Sequence, residues 1–192
     1  MTPDEIKLAM RAHLRERSPS ALIVDEFGIN GGNVIADVAL FDEHLSCGYE
    51  IKSAADSVKR LPGQVTAYSR VFDRCAIVCD PKHVGRAEPL LPAWWGIILI
   101  EDGRFFLLRE LAPNPSVDVR CLIKLIWRDE ALRALQGLGL GRGYSAARRG
   151  QLWKRLCDIL SPEQVQALVR ATLRGRQGWL LDDGRRKAAR IR

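Results

Sequence analysis

Three side chains in this sequence have the types and spacing that chemistry on a phosphate requires. A carboxylate and an ammonium alternate in the triplet Glu50-Ile51-Lys52, and a second carboxylate, Asp37, lies 13 residues earlier. On a strand, Glu50 and Lys52 share one face about 7 Å apart, with Ile51 buried beneath them. Asp37 interrupts an otherwise apolar strand pattern, where a lone carboxylate is costly unless it is paired or binds a cation. Two carboxylates beside a lysine suit Mg²⁺, which prefers oxygen ligands and activates a bound water.

The triplet alone is a weak indication, because an exposed ion pair on a strand gives the same pattern and contributes little. The position of Asp37 favours a site instead. A short connection over Asp42–Ser46 would fold two antiparallel strands so that Asp37 lies next to Glu50 and Lys52. Lys52 would then orient or deprotonate the attacking water, or neutralise the negative charge that develops on the phosphate.

The elements that must position these residues follow from local patterns. Thr2-Pro3-Asp4-Glu5 predicts a helix start with a capping box, and an apolar stripe continues to Ser18-Pro19. Three strands are predicted next, as an antiparallel meander: Ala21–Phe27, Asn33–Phe41 and Cys47–Lys52. Strict alternation in the second strand would place Val34, Ala36, Val38 and Leu40 on one face and Ile35, Asp37, Ala39 and Phe41 on the other.

The rest of the chain predicts an α/β fold with a helical end. A helix from Pro62 to about Phe72, a buried strand at Cys75–Cys79, a short helix at Pro81–Leu90 and a hairpin at 96–108 follow the meander. The order αβββαβ predicts a mixed sheet flanked by helices. A linker near 113–116 separates residues 1–112 from a region, 117–192, with helices at Cys121–Leu135, Gln151–Leu160 and from Ser161 to about Leu173.

Asp37 and Glu50-Ile51-Lys52, in this order of elements, resemble the PD-(D/E)XK nuclease superfamily over roughly residues 1–110. Further segments are similar to a small, largely uncharacterised bacterial and phage family within it: Gly48–Ser53, Arg60–Gln64, Tyr68–Asp73 and Trp94–Ile97. The resemblance implies a restriction-endonuclease-like core and hydrolysis of DNA phosphodiester bonds. It implies Mg²⁺, or Mn²⁺ as a substitute, bound by Asp37, Glu50 and the Ile51 carbonyl, with Lys52 assisting hydrolysis. Ala36 stands where the superfamily often has its proline.

Gln64 and Tyr68 extend the resemblance. They lie one helical turn apart and are similar to the Q-x-x-x-Y element of RecB-like exonucleases, which implies support of the site and contact with the DNA backbone. A solvated glutamine and a packed tyrosine are the alternative. Glu26 is similar to the early acidic residue that some relatives place beside the metal, and alternation would put it on one strand face with Leu22 and Val24. Arg60 is expected to touch phosphate or to be an exposed loop residue.

Basic residues are concentrated in the second part of the chain. Residues 1–119 carry 13 Lys and Arg against 17 Asp and Glu, whereas residues 120–192 carry 17 against 6. This asymmetry predicts a nucleic-acid partner, with DNA favoured, although a solvated helical surface is the alternative. The candidate phosphate contacts are Arg142, Arg148, Arg149, Lys154, Arg155, Arg170, Arg174, Arg176, Arg185, Arg186, Lys187, Arg190 and Arg192.

Several classes of protein are not expected. The N-terminus has no pattern of a secretion signal, and the longest apolar stretch, Ala93–Ile100, is too short to span a membrane. The five cysteines lack metal-site spacing and predict reduced thiols in a cytoplasmic protein.

Two alternatives to a nuclease remain: an inactive nucleic-acid-binding protein of the same fold, in regulation or repair, and an adaptor for an acidic protein. A homodimer is left open.

Overall fold

The computed structural model describes residues 1–176 of the chain, and its centre is a mixed sheet flanked by helices. Six strands follow one another across this sheet in chain order. β1, β2 and β3 pair antiparallel, β3, β4 and β5 pair parallel, and β5 and β6 form an antiparallel hairpin. The strands are β1 (Leu22–Ile29), β2 (Val34–Phe41), β3 (Ser46–Lys52), β4 (Arg74–Cys79), β5 (Gly96–Glu101) and β6 (Arg104–Arg109).

Helices cover both faces of the sheet. α1 (Pro3–Arg17) packs on one face, where its Ile6, Met10 and Leu14 join strand residues such as Tyr49 and Ile51. α2 (Leu61–Ser69) packs on the other face. The remaining helices are α3 (Val84–Ala87), α4 (Val119–Leu122), α5 (Arg128–Gly137), α6 (Arg149–Ile159) and α7 (Pro162–Arg174).

The first helix begins and ends where the sequence predicts. The Thr2 side chain accepts a hydrogen bond from the Glu5 N–H, and the Glu5 carboxylate accepts one from the Thr2 N–H, which completes the capping box. Pro3 costs no helical hydrogen bond at this position, because the first N–H groups of a helix have no partner within it. The helix stops before Ser18, as predicted.

The meander is confirmed, but the strict alternation predicted for β2 is wrong. Ala36 packs in the core on the α2 face, Val38 and Leu40 pack on the α1 face, and Ala39 and Phe41 return to the α2 face. The side-chain faces therefore switch at Asp37. The backbone N–H of Asp37 is hydrogen-bonded to the Tyr68 hydroxyl at 3.1 Å, so the regular ladder is interrupted there.

Two predicted helices are shorter and interrupted. The segment 81–90 contains the single-turn helix α3 between 3₁₀ turns, and the second of these turns includes Pro89, which cannot donate a helical hydrogen bond. The segment 121–135 is divided into α4 and α5. Its backbone is extended at Trp127, whose N–H donates to the Glu130 carboxylate at 2.6 Å and so starts a new helix.

The helices after residue 117 and the sheet share one core. Phe41 and Phe72 belong to the same apolar cluster as Leu122, Leu156 and Val169. Arg170 of α7 also reaches back to Asp73, at 3.2 Å, just before β4. The predicted division at 112–117 therefore separates two parts of the sequence that pack together.

Two expectations about chemistry and environment can be compared with the described residues. All five cysteines are unpaired thiols, and Cys47, Cys75 and Cys79 are buried, in agreement with the prediction. Among residues 1–176 no helix has the length and apolar character needed to cross a membrane.

Candidate active site

Asp37 lies where β2 and β3 separate. Hydrogen-bonded pairing between the two strands ends at Val38 and Tyr49, so the next pair in the same register would be Asp37 and Glu50. The Asp37 carboxylate Oδ2 instead accepts the Ile51 N–H at 2.8 Å. A side chain thus replaces a backbone partner, and a carboxylate is held at the point where the sheet opens.

Glu50 and Lys52 form a buried ion pair on the α2 face of β3. Lys52 Nζ is 2.6 Å from Glu50 Oε1, and the residues are 3% and 0% exposed. Lys52 Nζ also donates to Gln64 Oε1 at 3.1 Å. Ile51 lies on the opposite face in the core with α1, as the alternation predicts. An ammonium has three N–H donors, so one remains for a water or a phosphate oxygen.

Tyr68 connects the two carboxylate-bearing strands. Its hydroxyl donates to Glu50 Oε2 at 2.6 Å and accepts the Asp37 N–H at 3.1 Å. The residue is completely buried, with its ring against Phe72 and Trp95. The structure therefore gives Tyr68 a supporting position behind Glu50, with its hydroxyl engaged by the Glu50 carboxylate and the Asp37 N–H. Gln64, one turn earlier, is half-buried and lies beside Lys52.

The position of Asp37 changes its acidity. The pKa of Asp37 is raised from 3.8 to about 7, mainly by burial and secondly by the nearby charge of Glu50. The Ile51 N–H and the ammonium groups of Lys52 and Lys7 act in the opposite direction. The pKa of Tyr68 is also raised, first by burial and then by the charge of Glu50, which keeps its hydroxyl a donor. The site thus holds two carboxylates that repel each other.

The donor set of this site fits a divalent cation such as Mg²⁺. A carboxylate oxygen can accept more than one partner, so Asp37 and Glu50 keep lone pairs beyond their hydrogen bonds with Ile51, Lys52 and Tyr68. The N–H and C=O of one strand residue point to the same neighbour, so the Ile51 carbonyl also faces Asp37. Within residues 1–176 no three His, Cys, Asp or Glu side chains converge at metal distance, so the fit depends on two carboxylates, one carbonyl and waters.

Glu26 lies beside this group but is held by another partner. It is level with Asp37 in the register of β1 and β2, between the pairs Asp25–Val38 and Phe27–Ala36. Its φ of 52° breaks the alternation predicted with Leu22 and Val24. Its side chain is half exposed, and Oε1 is 3.2 Å from Lys7 Nζ. The prediction that Glu26 faces the site among apolar neighbours is therefore wrong in this structure, because the backbone turns there.

The predicted phosphate contacts differ in how exposed they are and in what they bind. Arg60 is exposed at the start of α2, as are Arg142 and Arg148 near the start of α6. Arg170 and Arg176 have structural partners: Arg170 binds Asp73, and Arg176 forms a buried pair with Glu130 at 2.7 Å. The other described candidates are Arg149, Arg155 and Arg174, which are half-buried, and Lys154, which pairs with Asp158. Arg185, Arg186, Lys187, Arg190 and Arg192 lie outside the described residues.

Sequence reasoning missed three residues around the site. Lys7 binds Glu26, and with Arg11 it forms an i, i+4 pair of cations opposite the adjacent acids Asp25 and Glu26. Two cations one helical turn apart and two adjacent acids were the sequence feature from which these ion pairs could have been predicted. Gly48 allows Tyr68 to pack directly on β3. His83 is buried, with Nε2 2.9 Å from the Ser53 carbonyl just after Lys52.

Comparison with known proteins assigns the chain to a family. The sequence profile described as Bacteriophage P4 protein cII matches residues 2–188. The chain belongs to the bacteriophage P4 protein cII family. Protein cII of Enterobacteria phage P4 itself is 30% identical over 96 residues. These are 49% of this chain and 36% of the phage protein, so the match spans about a third of that relative's length.

One solved structure is similar to this member of the protein cII family. It is the SPO1766 protein of unknown function from Silicibacter pomeroyi, with a TM-score of 0.42 and 20% sequence identity. The similarity covers 69% of this chain and 88% of that protein.

Proposed function

We propose that this protein is a divalent-metal-dependent nuclease that hydrolyses DNA phosphodiester bonds with a restriction-endonuclease-like core. The observation that supports the proposal is the opening between β2 and β3, where Asp37, Glu50, the Ile51 carbonyl and Lys52 meet. Carboxylate oxygens and one lysine, placed where two inner strands separate, suit the binding of a phosphate and a water. The order of elements, αβββαβ followed by a hairpin, agrees with the resemblance drawn from the sequence.

In this mechanism Asp37, Glu50 and the Ile51 carbonyl would hold the cation, which supplies charge stabilisation on the phosphate and a more acidic water. Lys52 uses its remaining N–H to orient the attacking water or to bind a non-bridging phosphate oxygen. The water oxygen bonds to phosphorus, one P–O ester bond breaks, and the leaving oxygen takes a proton. Tyr68 and Gln64 hold Glu50 and Lys52 in position.

The second candidate is a nucleic-acid-binding protein that has this fold without the chemistry. One observation favours it: both Glu50 oxygens are already bound by Lys52 and Tyr68, and Glu50 is completely buried. A closed polar network of this kind also occurs where its only role is structural. The exposed Arg60, Arg142 and Arg148 would then bind phosphate in a salt-sensitive manner.

Cleavage of a panel of DNA and RNA substrates with Mg²⁺ separates the two candidates. If the protein is a nuclease, EDTA should abolish its cleavage activity. The variants Asp37→Asn and Lys52→Met should also lose cleavage while they still bind nucleic acid. The control variants Asp102→Asn and Lys82→Met change exposed residues of the same types and should cleave like wild type. Binding without cleavage of any substrate would favour the second candidate, and cleavage that persists in both site variants would contradict the mechanism.

A further inference from the structure

The chain leaves the sheet directly after Lys52, at the candidate active site. β3 and β4 pair in parallel as far as Lys52 and Cys79. One further backbone hydrogen bond, from the Asp80 N–H to the Lys52 carbonyl at 3.0 Å, continues this pairing. The next residue, Ser53, lies beyond the end of β3 but is only 1% exposed. Its polar groups therefore need partners within the protein.

Two side chains bind all the polar groups of Ser53. Asp56 Oδ2 accepts the Ser53 N–H at 2.8 Å and the Ser53 hydroxyl at 2.6 Å. His83 Nε2 lies 2.9 Å from the Ser53 carbonyl oxygen. Because a carbonyl oxygen can only accept, the imidazole donates from Nε2 in this contact. The backbone that follows Lys52 is thus fixed on its N–H side by Asp56 and on its carbonyl side by His83.

His83 is itself held by the segment that binds Lys52. It is 5% exposed and ends the 3₁₀ turn Pro81–His83, which follows β4. Its N–H donates to the Asp80 carbonyl at 3.0 Å, and the Asp80 N–H is the group that donates to Lys52. A closed set of hydrogen bonds therefore runs from Lys52 through Asp80 and His83 to Ser53. Buried polar networks in which every member has a partner favour one arrangement of the chain.

We propose that His83 is a positioning residue that fixes the backbone of Lys52 and Ser53 and, through it, the Lys52 ammonium. The inference rests on the proposed function, because it assumes that the Lys52 ammonium assists hydrolysis. That ammonium must lie 2.6 Å from Glu50 Oε1 and 3.1 Å from Gln64 Oε1. A rotation of the peptide after Lys52 would displace the whole side chain, and an error of about 1 Å in the position of such a group can cost about a hundredfold in rate.

Replacement of the imidazole with and without a donor tests this role. His83→Leu removes the donor and keeps a buried apolar side chain, whereas His83→Gln can still donate to the Ser53 carbonyl. His13→Leu, a half-buried histidine of α1 that packs on Phe105, is the matched control. The measurements are kcat and KM for Mg²⁺-dependent cleavage of DNA, and the nitrogen NMR signal of the Lys52 ammonium, assigned with Lys52→Met. Thermal unfolding verifies each fold, and His83→Asn replaces His83→Leu if the latter does not fold.

We expect His83→Leu to lower kcat by about tenfold to a hundredfold, as for a small displacement of a reacting group, with KM changed by less than about threefold. The Lys52 ammonium signal should shift in His83→Leu, and His83→Gln should restore most of both properties. His13→Leu should behave like wild type.

The outcomes separate this inference from the proposed function. A His83→Leu variant that is less stable but keeps the wild-type kcat and ammonium signal would overturn the inference, because His83 would then only support the fold. Equal losses in His83→Leu and His83→Gln would also overturn it, since the hydrogen bond would not be the cause. If wild type cleaves neither DNA nor RNA, the proposed function fails, and the ammonium signal alone decides whether His83 positions Lys52.

Discussion

At the scale of single residues, the ionisation of Asp37 is the property of the site that is most open to measurement. Its pKa in the folded protein is about 7, above the value of 3.8 for a free side chain. The folded state therefore binds the proton more tightly, and this group stabilises the fold fully below pH 3.8. That stability is lost progressively as the pH rises to about 7.

Asp37→Asn should remove this pH dependence, because the amide has no proton to lose and its oxygen can still accept the Ile51 N–H. Denaturant unfolding without metal ions should show the variant gaining free energy of unfolding relative to wild type as the pH rises from 3.8 to about 7. The control Asp102→Asn, in the exposed turn before β6, should follow wild type at each pH. Parallel curves for Asp37→Asn and wild type would contradict the assignment.

The Tyr68 hydroxyl is the second residue-scale test. Tyr68→Phe leaves the buried Glu50 Oε2 and the Asp37 N–H without this partner, which should cost about 1–3 kcal/mol of the free energy of unfolding. It should also lower any cleavage rate, because Glu50 is less well held. Tyr49→Phe is the control, since that tyrosine packs on the α1 face. A cleavage rate that falls equally in both variants would argue against a specific role for Tyr68.

At the scale of elements, the site depends on close contact between α2 and β3. A Cβ at Gly48 would overlap the ring of Phe72 and lie 2.8 Å from Tyr68 Cδ1. Gly48→Ala should therefore shift both rings, lower the free energy of unfolding by about 1–3 kcal/mol and reduce cleavage. Gly150→Ala, in α6 with open space around the new methyl group, should instead stabilise by about 0.5–1 kcal/mol. Thermal unfolding of both variants measures the contrast, and a stable, fully active Gly48→Ala would contradict it.

The elements also show what the sequence can and cannot predict. The capping box at Thr2, the meander and the alternation of Glu50, Ile51 and Lys52 depend on neighbours along the chain, and all three are found in the structure. The change of face at Asp37 was not predictable, because it depends on the Tyr68 hydroxyl, 31 residues away. The position of Glu26 depends in the same way on Lys7, across the packing of α1 on the sheet.

At the scale of the whole molecule, the basic helical part completes the core of the sheet. Leu122, Leu156 and Val169 cover the face that carries Phe41 and Phe72. A fragment of residues 1–112 lacks the covering helices and would expose Phe41 and Phe72. We therefore expect the fragment to aggregate or to unfold without cooperativity. Circular dichroism and denaturant unfolding test this against the full chain. A cooperative transition in the fragment would show that residues 1–112 form an independent domain.

Some of the basic residues in the second part of the chain form ion pairs that hold the fold together. Glu130 and Arg176 form an ion pair with both side chains 6% exposed, and Arg170 fastens α7 to Asp73. These arginines therefore contribute to the fold, and exposed residues such as Arg142 and Arg148 are better placed to meet a phosphate backbone. The charge asymmetry of the sequence thus includes residues with two different roles.

The most direct test of the central claim is the Mg²⁺-dependent cleavage of DNA by Lys52→Met, with cation binding measured on the same protein. Lys52 donates to Glu50 and Gln64 but supplies no oxygen to a metal ion. We expect the variant still to bind Mg²⁺ while its cleavage rate falls about a hundredfold or more, as for the loss of a group acting in the transition state. Cleavage by Lys52→Met at the wild-type rate would contradict the claim that Asp37, Glu50 and Lys52 form a hydrolytic site.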